Sequence, residues 1–188
     1  MPFLAEAPKI VHMGYPWQIV VWIVVLMALI YLFFAIYTII VLFDFREKLR
    51  KRLVALSVLF AEKKEILLSL YGLFHKAKLP LDGDIKAMED AVSKLTTDVT
   101  NEKQAMEAIG LLNDFQRRLS LLSEEERYIQ KSPDFESFVN SLKDLENNYH
   151  RIVAAYNTDL NGYEYWRKRT IYIWLTWVFG FRKRQRLA

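Results

Sequence analysis

The sequence predicts an all-α protein: a single N-terminal transmembrane helix followed by an antiparallel up-and-down four-helix bundle. Three observations carry this expectation. The stretch from Trp17 to Phe43 holds no charged side chain. From Asp44 onward, apolar residues recur at alternating four- and three-residue spacing with no strand-like alternation. Pro80, Gly83 and Pro133 fall where helices would be punctuated. The expected divisions are a short N-terminal segment (1–16), a transmembrane helix (17–43), a helical bundle (44–170) and an aromatic and basic membrane-proximal segment (171–188). At 188 residues the chain is long enough for one membrane segment and one domain with its own core.

The apolar run, about 27 residues at 1.5 Å each, exceeds the roughly 30 Å hydrocarbon core of a bilayer, so a tilted span is expected. It lacks the short apolar region, basic start and small-residue cleavage site of a signal peptide. Ahead of it lies one basic side chain, Lys9, whereas Arg46, Lys48, Arg50, Lys51 and Arg52 follow it. That bias places the N-terminus outside and the helical domain in the cytoplasm. Tyr15, Trp17 and Trp22 would then sit at the outer interface.

The first bundle helix continues out of the membrane with Leu49, Leu53, Leu56, Phe60, Lys63, Leu67, Leu70 and Phe74 as one stripe, Lys63 being its polar exception. A second helix repeats the spacing at Ile85, Met88, Val92, Leu95 and Val99, with Asp82 or Asp84 placed to cap it. A third, roughly 102 to 130, keeps Met106, Ile109, Leu112, Leu119, Leu122 and Ile129 near one face. The fourth opens with Ser132 as cap and Pro133 at its first position. Its stripe is Phe138, Leu142, Leu145, Tyr149, Ile152, Tyr156, Asp159, Tyr163 and Trp166. Three reversals bring this fourth helix back toward the bilayer.

The stretch "SPDFESFVNSLKDLENNYHRIVAAYNTDLNGYEYW", followed by "FGF", resembles the C-terminal half of the LemA family of bacterial membrane-anchored helical proteins. Phe135, Leu142, Glu146, Asn147, Tyr156, Asn157, Tyr163 and Phe179-Gly180-Phe181 fall in the family's register, and the match lies mainly over residues 132–181. The resemblance implies an N-terminal anchor and a helical bundle, and it carries no enzymatic chemistry. The family's late Phe-Pro is replaced by Thr170-Ile171, from which the fourth helix is expected to run unbroken toward Val178.

No chemistry-bearing constellation is evident. With no cysteine, disulfides, thiolate metal sites and a cysteine nucleophile are excluded. His12, His75 and His150 share no metal-ligand spacing, and the acids of "SEEER" from Ser123 point around a helix as a solvated face. Neither a phosphate-binding glycine loop nor a catalytic triad is present. Tyr149, Tyr156 and Tyr163 read as core residues with hydroxyls at the rim. Asn157 and Asp159 are placed to accept those hydroxyls or to contact a partner.

The expected contact surface is instead membrane-facing. Trp174, Trp177, Phe179 and Phe181 lie between Arg167, Lys168, Arg169 and Arg182, Lys183, Arg184, Arg186. The roughly 12 residues from Thr170 to Phe181 span only about 18 Å as a helix, too short to cross. An interfacial anchor is therefore predicted, its rings entering the leaflet while the cations, together with Arg46 to Arg52, reach the anionic inner leaflet. The expected partners are the lipid bilayer and either further copies of the chain or other membrane proteins; no nucleic acid, small-molecule substrate, cofactor or metal is called for. A non-enzymatic scaffold or interaction protein is the first functional reading. An accessory structural subunit of a larger membrane enzyme or transport complex is the alternative.

Overall fold

A computed structural model describes residues 15–77, 83–125, 132–169 and 173–187. Among these the chain forms five helices, α1 (Tyr15–Lys76), α2 (Gly83–Ser93), α3 (Glu102–Glu125), α4 (Pro133–Arg167) and α5 (Ile173–Val178), with no strand. Pro80, Asp82, Ile129 and His12 lie outside the described residues.

The 62-residue α1 runs without interruption because neither proline nor glycine occurs between Trp17 and Tyr71. It is the one helix among the described residues long and apolar enough to cross a membrane. Residues 16–34 are exposed on every side, and buried positions begin at Ala35, followed by Thr38 and Leu42. The bare part, about 28 Å long, is close to the thickness of a hydrocarbon core. Below it Leu49, Leu53, Leu56, Phe60, Lys63, Leu67, Leu70 and Phe74 are all buried.

The other helices use this stripe as their common partner. α4 and α3 pack on α1, while α2 bridges α1 and α3. Phe74 meets Phe135, Phe60 meets Tyr149 and Tyr37 meets Trp166, so α4 runs antiparallel to α1 from Phe74 back to Tyr37 and leaves the stretch before it bare. Lys63 meets Asn113 and Tyr71 meets Phe115, so α3 runs parallel to α1.

Three local departures from the expected pattern have physical causes. α2 stops at Ser93, and "KLTTDVT" continues as irregular backbone that still buries Val99. Its β-branched threonines and valine disfavour helix, and the Lys64 ammonium donates to the carbonyls of Ser93 and Leu95, 2.8 and 3.0 Å away, closing the helix end. Along α3 the buried face is Ala105, Ala108, Leu112, Phe115, Leu119 and Leu122, while Met106 is exposed. Small alanines let α3 approach closely at its start, where Asn101 Oδ1 caps the Gln104 amide at 3.0 Å. On α4, Val153 and Leu160 are buried in place of a strict seven-residue continuation through Ile152 and Asp159. A straight helix drifts about 20° per heptad, and Asp159 is left at the rim, paired with Arg52 at 3.3 Å.

The α1–α4 seam is close at Gly162, where an added Cβ would lie 2.5 Å from Phe45 Cζ and 2.6 Å from Cε1. Gly162→Ala gains about 1 kcal/mol of helix propensity but displaces the ring, a strain of about 1–3 kcal/mol. The expected outcome is a net loss of thermal stability, and one that is absent when Gly162→Ala is introduced into a Phe45→Ala background, where the opposing ring is gone. Equal midpoints for Gly162→Ala and wild type would contradict this packing.

Candidate functional site: a C-terminal brace on the long apolar helix

α4 ends where three basic residues meet the negative end of its dipole. The Lys168 amide bonds the Glu164 carbonyl at 3.0 Å, and the Arg169 amide bonds that of Trp166 at 3.3 Å, tightening the last turn. The expectation of an unbroken helix to Val178 is therefore corrected: the helical run stops at Arg167 and resumes as the separate α5. Arg167 grips Glu164 through two hydrogen bonds of 3.0 and 2.8 Å. Burial opposes ionisation of Glu164, but Arg167 and Lys168 outweigh it and hold the carboxyl below the usual range.

α5 lies beside α1 with most of its described side chains exposed. Trp174 Nε1 donates to the Tyr31 hydroxyl at 3.0 Å, Trp166 sits edge-on to Tyr37, and Phe179 edge-on to Phe43. Arg169 stacks over Tyr165 and Trp166. These rings and cations gather at the lower end of the bare stretch of α1, the depth at which an aromatic belt and its basic flank are favoured.

Gly180, with φ of 66°, then reverses the chain. Residues 181–187 return along α4 away from the apolar stretch, fixed by two buried apolar anchors, Phe181 and Leu187. Phe181 packs edge-on against Phe43 and Tyr163. Between the anchors, side chains of α4 hold the backbone. The Tyr163 hydroxyl donates to the Arg182 carbonyl at 2.9 Å, and Asn157 Nδ2 donates to the Leu187 carbonyl at 2.8 Å. Asn157 Oδ1 in turn accepts from the Leu187 amide at 3.2 Å. Glu102, in the first turn of α3, accepts from both the Tyr156 hydroxyl at 2.7 Å and Arg184 at 3.0 Å, joining α3, α4 and the returning segment. Burial, with the Glu102 bond second, pushes the Tyr156 phenol well above its ordinary range; burial likewise raises that of Tyr163.

The sequence-predicted contact residues are thus divided. Trp174, Trp177, Phe179, Lys168, Arg169, Arg182, Lys183 and Arg186 are exposed, Trp177 most of all at 85%. Phe181, expected to enter the leaflet, is instead 5% exposed among protein rings, and Arg184 is committed to Glu102. Arg46, Lys48, Arg50, Lys51 and Arg52 are exposed on α1, but Lys48, Lys51 and Arg52 pair with Asp44, Glu47 and Asp159. Sequence reasoning missed Tyr31, Tyr37, Glu102 and Leu187. Tyr31 and Tyr37 were visible as polar-edged rings inside the apolar run, whereas nothing local to Glu102 or Leu187 marks them.

A second polar feature lies at mid-height. Lys63 is 9% exposed, its ammonium donating to Asn113 Oδ1 at 2.6 Å beside a cavity of about 60 Å³ bordered by Glu146, Tyr149 and His150. Burial lowers the Lys63 pKa from 10.5, with Glu146 partly opposing. Between the lowered value and 10.5 the unfolded chain binds the extra proton, so stability rises with pH there, and the full penalty persists below. Lys63→Met is therefore expected to raise the melting temperature at pH 7, with an advantage that shrinks as pH approaches 10.5. A pH-independent difference, or a less stable variant, would contradict this.

Comparison of the chain with models of protein families, with characterised proteins and with solved structures finds no match.

Proposed function

We propose that the protein is a membrane-anchored, non-enzymatic scaffold or interaction protein of a bacterial cytoplasmic membrane, acting through protein–protein contacts and oligomerisation. The observation that carries this reading is the union of anchor and domain: α1 passes from the bare apolar stretch into the helical core, and the C-terminal brace grips it where the two meet. A flexible tether would leave the domain free to tumble. A continuous helix braced on one side fixes its standing relative to the bilayer, which is what a platform for lateral assembly requires. The N-terminus lies outside and the domain, a four-helix antiparallel bundle in this reading, lies in the cytoplasm.

Membership of the LemA family belongs to the same proposal. Tyr156, Asn157, Tyr163 and Phe179-Gly180-Phe181 carried the resemblance, and in the fold they form one unit, the clamp and the turn of the returning segment. Such joint use supports reading them as one motif. Mass determination of the full-length particle extracted in mild detergent tests the function. A ring or array of this chain is the expected result, and stoichiometric unlike chains would favour the accessory-subunit reading. A strict monomer that captures nothing would overturn both.

A further inference from the structure

Between the end of α4 and the returning segment lies a cleft of about 520 Å³. Its walls carry Lys168 and Lys183, both exposed, and Arg186, which holds Asn161 Oδ1 at 2.7 Å. Glu164 is its one carboxylate, already engaged by Arg167, with Lys168 Nζ 3.8 Å away. The unbalanced charge is therefore positive, and Lys183 makes no ion pair within 4.0 Å among the described residues. Tyr165, 61% exposed, stands at the lip with Arg169 over its ring.

Position decides what anion this cleft takes. Trp166, against Tyr37, lies at the lower edge of the bare stretch of α1, so Lys168 is at the boundary of the hydrocarbon. Leu160 and Asn161, at the far end, are about 10–12 Å further along the helix. The cleft thus crosses the headgroup layer, which adds about 5–8 Å on each side of the core.

We infer that this cleft binds the phosphodiester headgroup of an anionic phospholipid in the leaflet on the domain's side, with Lys168 and Lys183 supplying the charge and Tyr165 resting on the glycerol and upper acyl region. Lysine recognises phosphate as a point charge, and a local negative surface potential adds to each cation near the leaflet. The inference rests on the membrane-anchored reading above.

The test uses the full-length protein, delipidated in neutral detergent and titrated with phosphatidylglycerol, phosphatidylcholine or inorganic phosphate, with bound ligand counted by native mass spectrometry. One phosphatidylglycerol should be retained in preference to phosphatidylcholine, and Lys168→Gln/Lys183→Gln should weaken it at least about tenfold. Lys86→Gln/Lys143→Gln, exposed and distant, should not, and circular dichroism checks that both variants keep their helices. Unchanged lipid binding in Lys168→Gln/Lys183→Gln, or inorganic phosphate binding as well as the lipid, would overturn the site. A wild-type chain that does not fractionate with membranes would instead overturn the anchoring itself, so the two failures are distinguishable.

Discussion

Replacing Phe181 and Leu187 together by alanine is expected to release the returning segment and expose its basic residues to trypsin. Both anchors are 5% exposed, and truncating buried Phe and Leu costs about 3–5 and 2–5 kcal/mol respectively. What remains is the bonds from Tyr163 and Asn157, the exposed Arg186–Asn161 bond and the Arg184–Glu102 pair, each worth about 1 kcal/mol or less and insufficient against the entropy of ordering seven residues. Cleavage after Arg182, Lys183, Arg184 and Arg186 should accelerate more than about a hundredfold when opening precedes cutting. Helicity should hold, because the core of α1, α3 and α4 does not depend on these two residues for most of its area. Trp177→Ala, at an exposed ring, should leave the cleavage rate unchanged. Equal rates for wild type and the double variant would show that the segment is not clamped.

The second large effect concerns topology and is close to all-or-none. The chain has no cysteine, so single cysteines report without background. Leu4→Cys should react with an impermeant thiol reagent in intact cells. Gly110→Cys, on the exposed face of α3 with open space around its Cβ, should react only after the membrane is breached. The basis is the cluster Arg46 to Arg52 behind the span against Lys9 ahead of it. The reverse pattern would place the domain outside and remove the cytoplasmic localisation.

The elements whose partners are local in pattern were legible in the sequence. The α1 stripe from Leu49 to Phe74 could be read residue by residue because every one of its positions is buried in a single 4-3 pattern along one helix. The start of α4 was legible from Pro133, which does occupy the first turn, although the Ser132 side chain makes no capping bond. Where drift matters, as from Ile152 to Val153, a fixed heptad misplaces the face by one residue. The brace was hardly legible. Much of its chemistry is side chain to backbone, from Tyr163 to the Arg182 carbonyl and from Asn157 to the backbone of Leu187, and such bonds leave no periodic trace. The aromatic and basic composition around Trp174 did signal proximity to a membrane, but composition could not separate rings facing outward from Phe181, which faces inward.

The account depends most on the brace being engaged with α1 at the membrane boundary. Cysteines in place of Tyr31 and Trp174, whose side chains share a 3.0 Å hydrogen bond, should be joined by a short bifunctional thiol reagent in native membranes. The linked peptides should come from monomer-sized protein. Trp22→Cys with Trp174→Cys, offset by nine residues or about 13 Å along α1, should give no link. Equal linking of both pairs, or linkage of Tyr31→Cys to Trp174→Cys only between different chains, would contradict a C-terminal segment that braces its own membrane helix.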